Sequence, residues 1–191
     1  MTIKENQATV LFIRGIPGSG KSTIAKFLSE KIKADILILD PDSIDYQGKA
    51  YLNHVETMKN QGVDSKLFAY RFLRQQAYDG IEAKKLVIWN QPFSNLEIFN
   101  KMTKRLYDFA KVVGVKLKII VVEVEIDSEL AYSRIKDRIR KGGHGPTRGR
   151  FEKFTVELNS FKNTNYQVIN VDGTSADKAS DKIIDELKEN S

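Results

Sequence analysis

The chain of 191 residues contains no cysteine. Disulfides and thiolate metal centres are therefore excluded. Histidine is scarce as well, and His54 and His144 form no metal-binding spacing. No apolar run approaches the length that spans a bilayer. The opening residues, MTIKENQATV, carry no apolar signal-peptide core. A cytoplasmic protein with no membrane partner is expected. Internal repeats, low-complexity tracts and linkers are also missing, so residues 1–191 are expected to form a single domain. Acidic residues are outnumbered, 25 against 31 Lys and Arg, for a net charge of +6. That balance suits nucleotides, sugar phosphates or nucleic acid, and equally an ordinary solvated surface.

What is present is a regular alternation of strand and helix patterns. Apolar runs at Ala8–Ile13, Ile36–Leu39, Leu86–Trp89, Lys118–Val124 and Tyr166–Val171 read as five strands. Between them lie helical stripes. Ile24, Phe27, Leu28 and Ile32 form the first; Leu67, Tyr70, Leu73, Ala77 and Ile81 lie within Ser65–Ala83; Phe99, Met102, Leu106, Phe109 and Val113 lie within Leu96–Val113. Ser128–Lys141 is a charged helix. Phe151, Phe154, Leu158 and Phe161 stripe another, and Ala176, Ala179, Ile183 and Leu187 stripe the last. The stretch Tyr46–Asp64, with Tyr51, His54, Met58 and Gly62, is less regular and reads as part of an acceptor pocket or as a surface insertion. Buried-type strands alternating with helices predict an α/β fold, a five-stranded parallel sheet with helices on both faces. Ligands of such a sheet bind at the carboxyl ends of its strands.

At that edge the first strand runs into Gly15, Ile16, Pro17, Gly18, Ser19, Gly20, Lys21, Ser22 and Thr23, which contain the string GxxxxGKS. The glycines let backbone N–H groups approach phosphate oxygens, and the loop feeds a helix N-terminus that favours an anion. Lys21 is placed to reach the β- and γ-phosphates, and the Ser22 hydroxyl to ligate Mg²⁺. The nucleotide is ATP or GTP, since no base-reading motif is visible.

Three further groups carry chemistry. The second strand ends in Asp40-Pro41-Asp42-Ser43, whose carboxylates suit a general base toward an acceptor hydroxyl, an outer-shell Mg²⁺ partner, or a helix cap. The third strand ends in Asn90-Gln91-Pro92, a polar turn where many P-loop proteins hold Mg²⁺ with Asp. Arg134, Arg138 and Lys141 share one helix face and are followed by Gly142-Gly143-His144-Gly145-Pro146 and then Arg148 and Arg150. Residues 128–150 therefore read as a basic lid over phosphates, or as a solvated basic helix.

The GIPGSGKST string, the Asp-Pro-Asp after the second strand and RIRKGGHGP…RF together resemble the zeta-toxin-like branch of the P-loop kinases, with the polynucleotide 5′-kinases next. The resemblance covers about Ala8 to Phe161. It implies the three-layer P-loop NTPase/kinase fold and ATP- and Mg²⁺-dependent transfer of a phosphoryl group to the hydroxyl of a small molecule, a nucleotide sugar, nucleoside or similar alcohol. Polynucleotide 5′-hydroxyl phosphorylation and a non-catalytic nucleotide-binding regulatory module are the alternatives. By position it makes Asp42 the catalytic base, Arg134 and Arg138 the lid arginines, and Arg148 or Arg150 a further phosphate ligand. His144 is structural or faces the substrate. An antitoxin protein is the partner the toxin-like branch brings with it. Asn90 and Gln91 depart from the acidic or hydroxyl residues often found after the third strand, and residues 145–150 are compressed relative to the branch.

Overall fold

A computed structural model describes residues 6–158 and 165–189. Five strands, β1 (Gln7–Arg14), β2 (Ile36–Leu39), β3 (Leu86–Asn90), β4 (Lys116–Glu125) and β5 (Gln167–Asp172), form one sheet in the order β2-β3-β1-β4-β5. Every adjacent pair is parallel, with Ile13 opposite Asn90 on one side and Val122 on the other. The chain leaves β1 toward β2 and later returns to place β4 on β1's far side. The crevice at the carboxyl end of β1 is thus a topological switch point.

The helices are α1 (Lys21–Lys31), α2 (Lys49–Asn60), α3 (Phe68–Glu82), α4 (Leu96–Val112), α5 (Ser128–Arg140), α6 (Arg148–Leu158) and α7 (Ala176–Glu189), with short 3₁₀ turns at Pro41–Ser43 and Ser65–Leu67. Side-chain alternation along the strands divides the interior in two. Val10, Phe12, Val87, Trp89 and Val121 pack with Leu73, Ala77, Phe99, Met102 and Leu106 of α3 and α4. Leu11, Ile13, Ile88, Ile120 and Val122 pack with Ile24, Leu28, Ile183 and Leu187 of α1 and α7. Both faces of the sheet are covered, so the strands read as continuous apolar runs rather than alternating ones. Among the described residues no helix is long and apolar enough to cross a membrane.

The expected strands and helices are all present, with ends shifted by at most three residues among the described residues. The 3₁₀ turn replaces the first residues of the expected helix at Ser65. Phe161 lies outside the described residues. Tyr46–Asp64 is more ordered than expected, because it contains α2. Tyr51, His54, Val55 and Met58 are its half-buried residues, spaced as one helical face. None is fully buried, and Tyr51 and His54 meet Phe72 edge-on at 5.2 and 5.4 Å. The segment expected as a lid, residues 128–150, spans α5 and the turn after it, and a second helix, α6, begins within it at Arg148.

Candidate functional site

The loop from β1 to α1 is built for an anion. Gly20 occupies the N-cap of α1 in the left-handed region (φ 97°), and no side chain caps the exposed N–H groups. By contrast Asn95 caps α4 and Asp127 caps α5. The first turn of α1 carries no acidic residue. The N–H groups and the positive end of the helix are left for a ligand. Gly18 (φ +82°) is constrained by packing too: a Cβ there would lie 2.3 Å from the carbonyl oxygen of Ala131 on α5. The loop rests directly on the first turn of the lid, and Ile16 is buried with Ala131, Ile135 and Phe151.

Lys21 is buried, and its ammonium donates to the carbonyls of Gly15 (3.0 Å) and Ile16 (2.9 Å) and to Ser19 Oγ (3.5 Å). Burial pushes its pKa down from 10.5 to about 8; Asp40 and Asp42 oppose that fall, and Arg138 adds to it. The group is a desolvated cation awaiting a counter-charge.

Next to it, Ser22 Oγ donates to Asp40 Oδ2 at 3.1 Å. Asn90 Nδ2 donates to both, at 2.8 Å to Ser22 Oγ and 2.6 Å to Asp40 Oδ2. The sheet order explains this arrangement: β3 lies between β1 and β2, so Asn90 stands between the residues that follow those strands. Asp40 also acts as a cap, since its Oδ1 accepts from the Asp42 N–H at 2.9 Å. The two readings of the Asp-Pro-Asp segment thus both apply, but to one residue: Asp40 caps with one oxygen and faces Ser22 with the other. Asp42 has neither duty, and its carboxylate makes no hydrogen bond among the described residues. The Asp40 carboxylate stands against Asn90, at the end of the strand where many P-loop proteins carry Asp. A hydroxyl, a carboxylate and a buried Asn90 Oδ1 that has no hydrogen-bond partner among the described residues make a hard-oxygen corner beside the phosphate loop. That donor set fits Mg²⁺, which keeps most of its shell as water and phosphate oxygen.

A cavity of about 980 Å³ joins these groups. Lys21, Ser22, Thr23, Asp40, Asp42, Asn90, Arg134, Arg138, His144 and Arg150 all line it. Its size is at the top of the range for single-ligand pockets, about 300–1,000 Å³, and leaves room for a donor and an acceptor. Arg134 is held by carbonyls, donating to Gly173 O (2.8 Å) and Thr174 O (3.1 Å) in the loop after β5. Arg138 reaches the cavity from the same helix face one turn on. Arg148 does not line the cavity. It is bound to Glu129 at 2.6 Å and Glu152 at 2.7 Å within the lid, so of the two arginines considered as an extra phosphate ligand Arg150 is the one the fold presents.

Gln91, Phe93, Ser94, Asn95, Ile98, Phe99 and Met102 after β3, with Tyr70 of α3 and Phe154 of α6, line another wall of the cavity, of which the sequence singles out Gln91 alone. Phe93 adopts φ +48°, rare for an aromatic residue. Its ring packs edge-on to Phe12 and Phe99 at 5.0 and 5.5 Å, which holds it there. The only sequence signal was Pro92 before it. Gly173 was also missed; a Cβ there would lie 2.5 Å from Ser19 O.

The phosphate loop, the carboxylates and the arginine-bearing helix on a β2-β3-β1-β4-β5 sheet define a P-loop phosphate-binding protein with a kinase-like fold. The AAA domain family model matches residues 10–161, and the chain belongs to that family. No curated protein sequence matches it significantly. Among solved structures, a putative kinase from Chloroflexus aurantiacus is similar over 98% of this chain and 100% of its own, with TM-score 0.65 and 14% identity. A gluconokinase from Sinorhizobium meliloti aligns over 97% and 95%, with TM-score 0.55 and 12% identity. A deoxyadenosine kinase from M. mycoides aligns over 95% and 100%, with TM-score 0.57 and 18% identity. These likenesses establish the fold.

Proposed function

We propose that the protein is an ATP- and Mg²⁺-dependent phosphotransferase acting on the hydroxyl of a small molecule, a nucleotide sugar or nucleoside in the zeta-toxin-like manner. The observation that carries this reading is Asp42: a carboxylate with no capping role and no hydrogen bond, lining the same cavity as Lys21 and Arg138.

In this reading the loop N–H groups and Lys21 hold the β- and γ-phosphates of ATP. Ser22, backed by Asp40 and Asn90, would hold Mg²⁺, which when bound neutralises charge on those phosphates. Asp42 accepts the proton of the acceptor hydroxyl as its oxygen bonds to the γ-phosphorus. The bond from that phosphorus to the β–γ bridging oxygen breaks and ADP leaves. Arg138, with Arg134 set by its carbonyl contacts, stabilises charge on the transferring group. GTP in place of ATP is accommodated by the same contacts, which all go to phosphate.

The polynucleotide 5′-hydroxyl alternative draws on one feature, the Arg150 guanidinium 5.7 Å from the Phe154 ring at the cavity wall, where a terminal base could stack. Transfer of label from γ-labelled ATP to UDP-sugars, nucleosides and 5′-hydroxyl oligonucleotides separates the readings. Label in either of the first two arms supports the small-molecule kinase, and label only in the third replaces it with the polynucleotide kinase. Nucleotide binding without transfer in any arm leaves the regulatory module. Asp42→Asn should retain ATP binding and lose transfer; a variant that transfers normally but melts earlier would make Asp42 structural. The toxin-like version is tested separately, by growth arrest on expression and its relief by a candidate antitoxin.

A further inference from the structure

The turn joining the two lid helices is built to present one side chain. Gly142 closes α5 in the left-handed region (φ +84°). Gly143 donates its N–H to the Arg138 carbonyl at 3.0 Å. A Cβ on Gly143 would lie 2.7 Å from Arg138 Cγ, and one on Gly145 would lie 2.6 Å from Ile135 Cγ2. Both glycines are thus pressed onto α5, and His144 between them projects across the cavity. Its Nε2 lies 3.6 Å from Asp42 Oδ2 on the acceptor side. Other charged lid residues pair within the lid: Arg140 with Asp137, Arg148 with Glu129 and Glu152, and Lys153 with Glu157.

We infer that His144 is a positioning residue for Asp42: the imidazole meets the otherwise unbonded carboxylate when the lid lies over the cavity and fixes its direction toward the acceptor hydroxyl. Asp42 sits on a three-residue 3₁₀ turn, and its side chain is 63% exposed. Without a partner such a carboxylate samples several rotamers. A contact supplied by this turn aligns the base only when the turn covers the cavity, which ties proton transfer to a covered site and disfavours hydrolysis by water. The inference rests on the phosphotransfer reading for its catalytic meaning. The contact itself stands independently of it.

Two measurements test it. Because the chain has only two histidines, the imidazole Cε1–H signals resolve His144, with His54 as internal control. Asp42→Asn should move the His144 signal at fixed pH, more so with Mg²⁺ and a non-hydrolysable ATP analogue, and leave His54 in place. An unmoved His144 signal overturns the contact whatever the activity. In transfer assays His144→Ala should lower kcat about tenfold with little change in KM for ATP. His144→Asn, which keeps a donor, should recover part of the loss. Gly145→Ala, which displaces the turn and leaves the imidazole intact, should cost a similar factor. A His144→Ala variant with kcat within twofold of wild type means that His144 does not position Asp42. A His144 signal that responds to Asp42 in a protein that transfers to no acceptor removes the phosphotransfer reading and leaves the contact.

Discussion

Replacing Lys21 with Met isolates what the phosphate loop stores before nucleotide arrives. The ammonium is fully buried, and the fall of its pKa from 10.5 to about 8 corresponds to about 3 kcal/mol by which the folded protein disfavours the charged form. Met retains the bulk and removes the charge, but leaves the Gly15 and Ile16 carbonyls without their donor, a loss of about 1 kcal/mol each. At pH 7 the variant should therefore be about 1 kcal/mol more stable than the wild type while failing to bind ATP. The pH dependence is the sharper test. Between about pH 8 and 10.5 the unfolded lysine holds a proton that the folded one has lost. Wild-type stability must then rise with pH across that window relative to the variant, by about 2 to 3 kcal/mol at pH 10. Below pH 8 both states are protonated and the full penalty applies. Urea titrations of both proteins at pH 7 and pH 10 measure this, since all other titrating groups are common to the pair. A wild-type-minus-variant difference that stays constant with pH would refute the picture of a desolvated cation in the loop.

Asp40→Asn should raise the Mg²⁺ concentration needed for half-maximal nucleotide binding by about tenfold, the usual effect of an outer-shell partner, read by calorimetry at varied Mg²⁺; an unchanged requirement would separate Asp40 from the metal. Arg138→Ala should depress turnover by about 10³, by analogy with arginine-finger losses, and a variant within twofold of wild type would exclude it from the transfer step. Gly18→Ala places a Cβ 2.3 Å from Ala131 O at a positive φ, so a folded variant should show ATP affinity reduced more than tenfold; unchanged affinity would show that the loop can move off α5 without consequence.

The phosphate loop was readable because its geometry is local. It is a contiguous string whose glycines, lysine and serine are placed by one turn between β1 and α1, and the buried strands announce a parallel sheet by being apolar throughout. What depends on side chains meeting across the sheet was not readable. Apart from the resemblance, the residues alone left Asp40 and Asp42 interchangeable; they separate because β3 inserts Asn90 between β2 and β1, giving Asp40 hydrogen bonds with Ser22 and Asn90 and leaving Asp42 to face His144 across the cavity. Arg148 and Arg150 look alike two residues apart, yet half a turn of α6 sends the first to Glu129 and the second to the cavity. Helix α2 escaped because its buried face is made of Tyr51, His54, Val55 and Met58, half-covered and mixed in polarity, so the apolar contrast that reveals α4 is absent. The cavity wall after β3 escaped because Phe99 and Met102 serve core and cavity at once, and a helical stripe does not say which.

Arg14, the last residue of β1, is 1% exposed and joins Glu123 of β4 to the carbonyl of Leu158 at the end of α6, 3.0 Å away. The trailing end of the lid is therefore bolted to the residue that immediately precedes the phosphate loop, while its leading end is seated on Ile16. In the proposed phosphotransferase a lid pinned at both feet would not swing as a door. The part left to bend would be its crest, the turn at residues 141–147, and opening and closing would be a local change at the tip. Scattering profiles with and without nucleotide should superimpose, and amide exchange should differ at the crest alone.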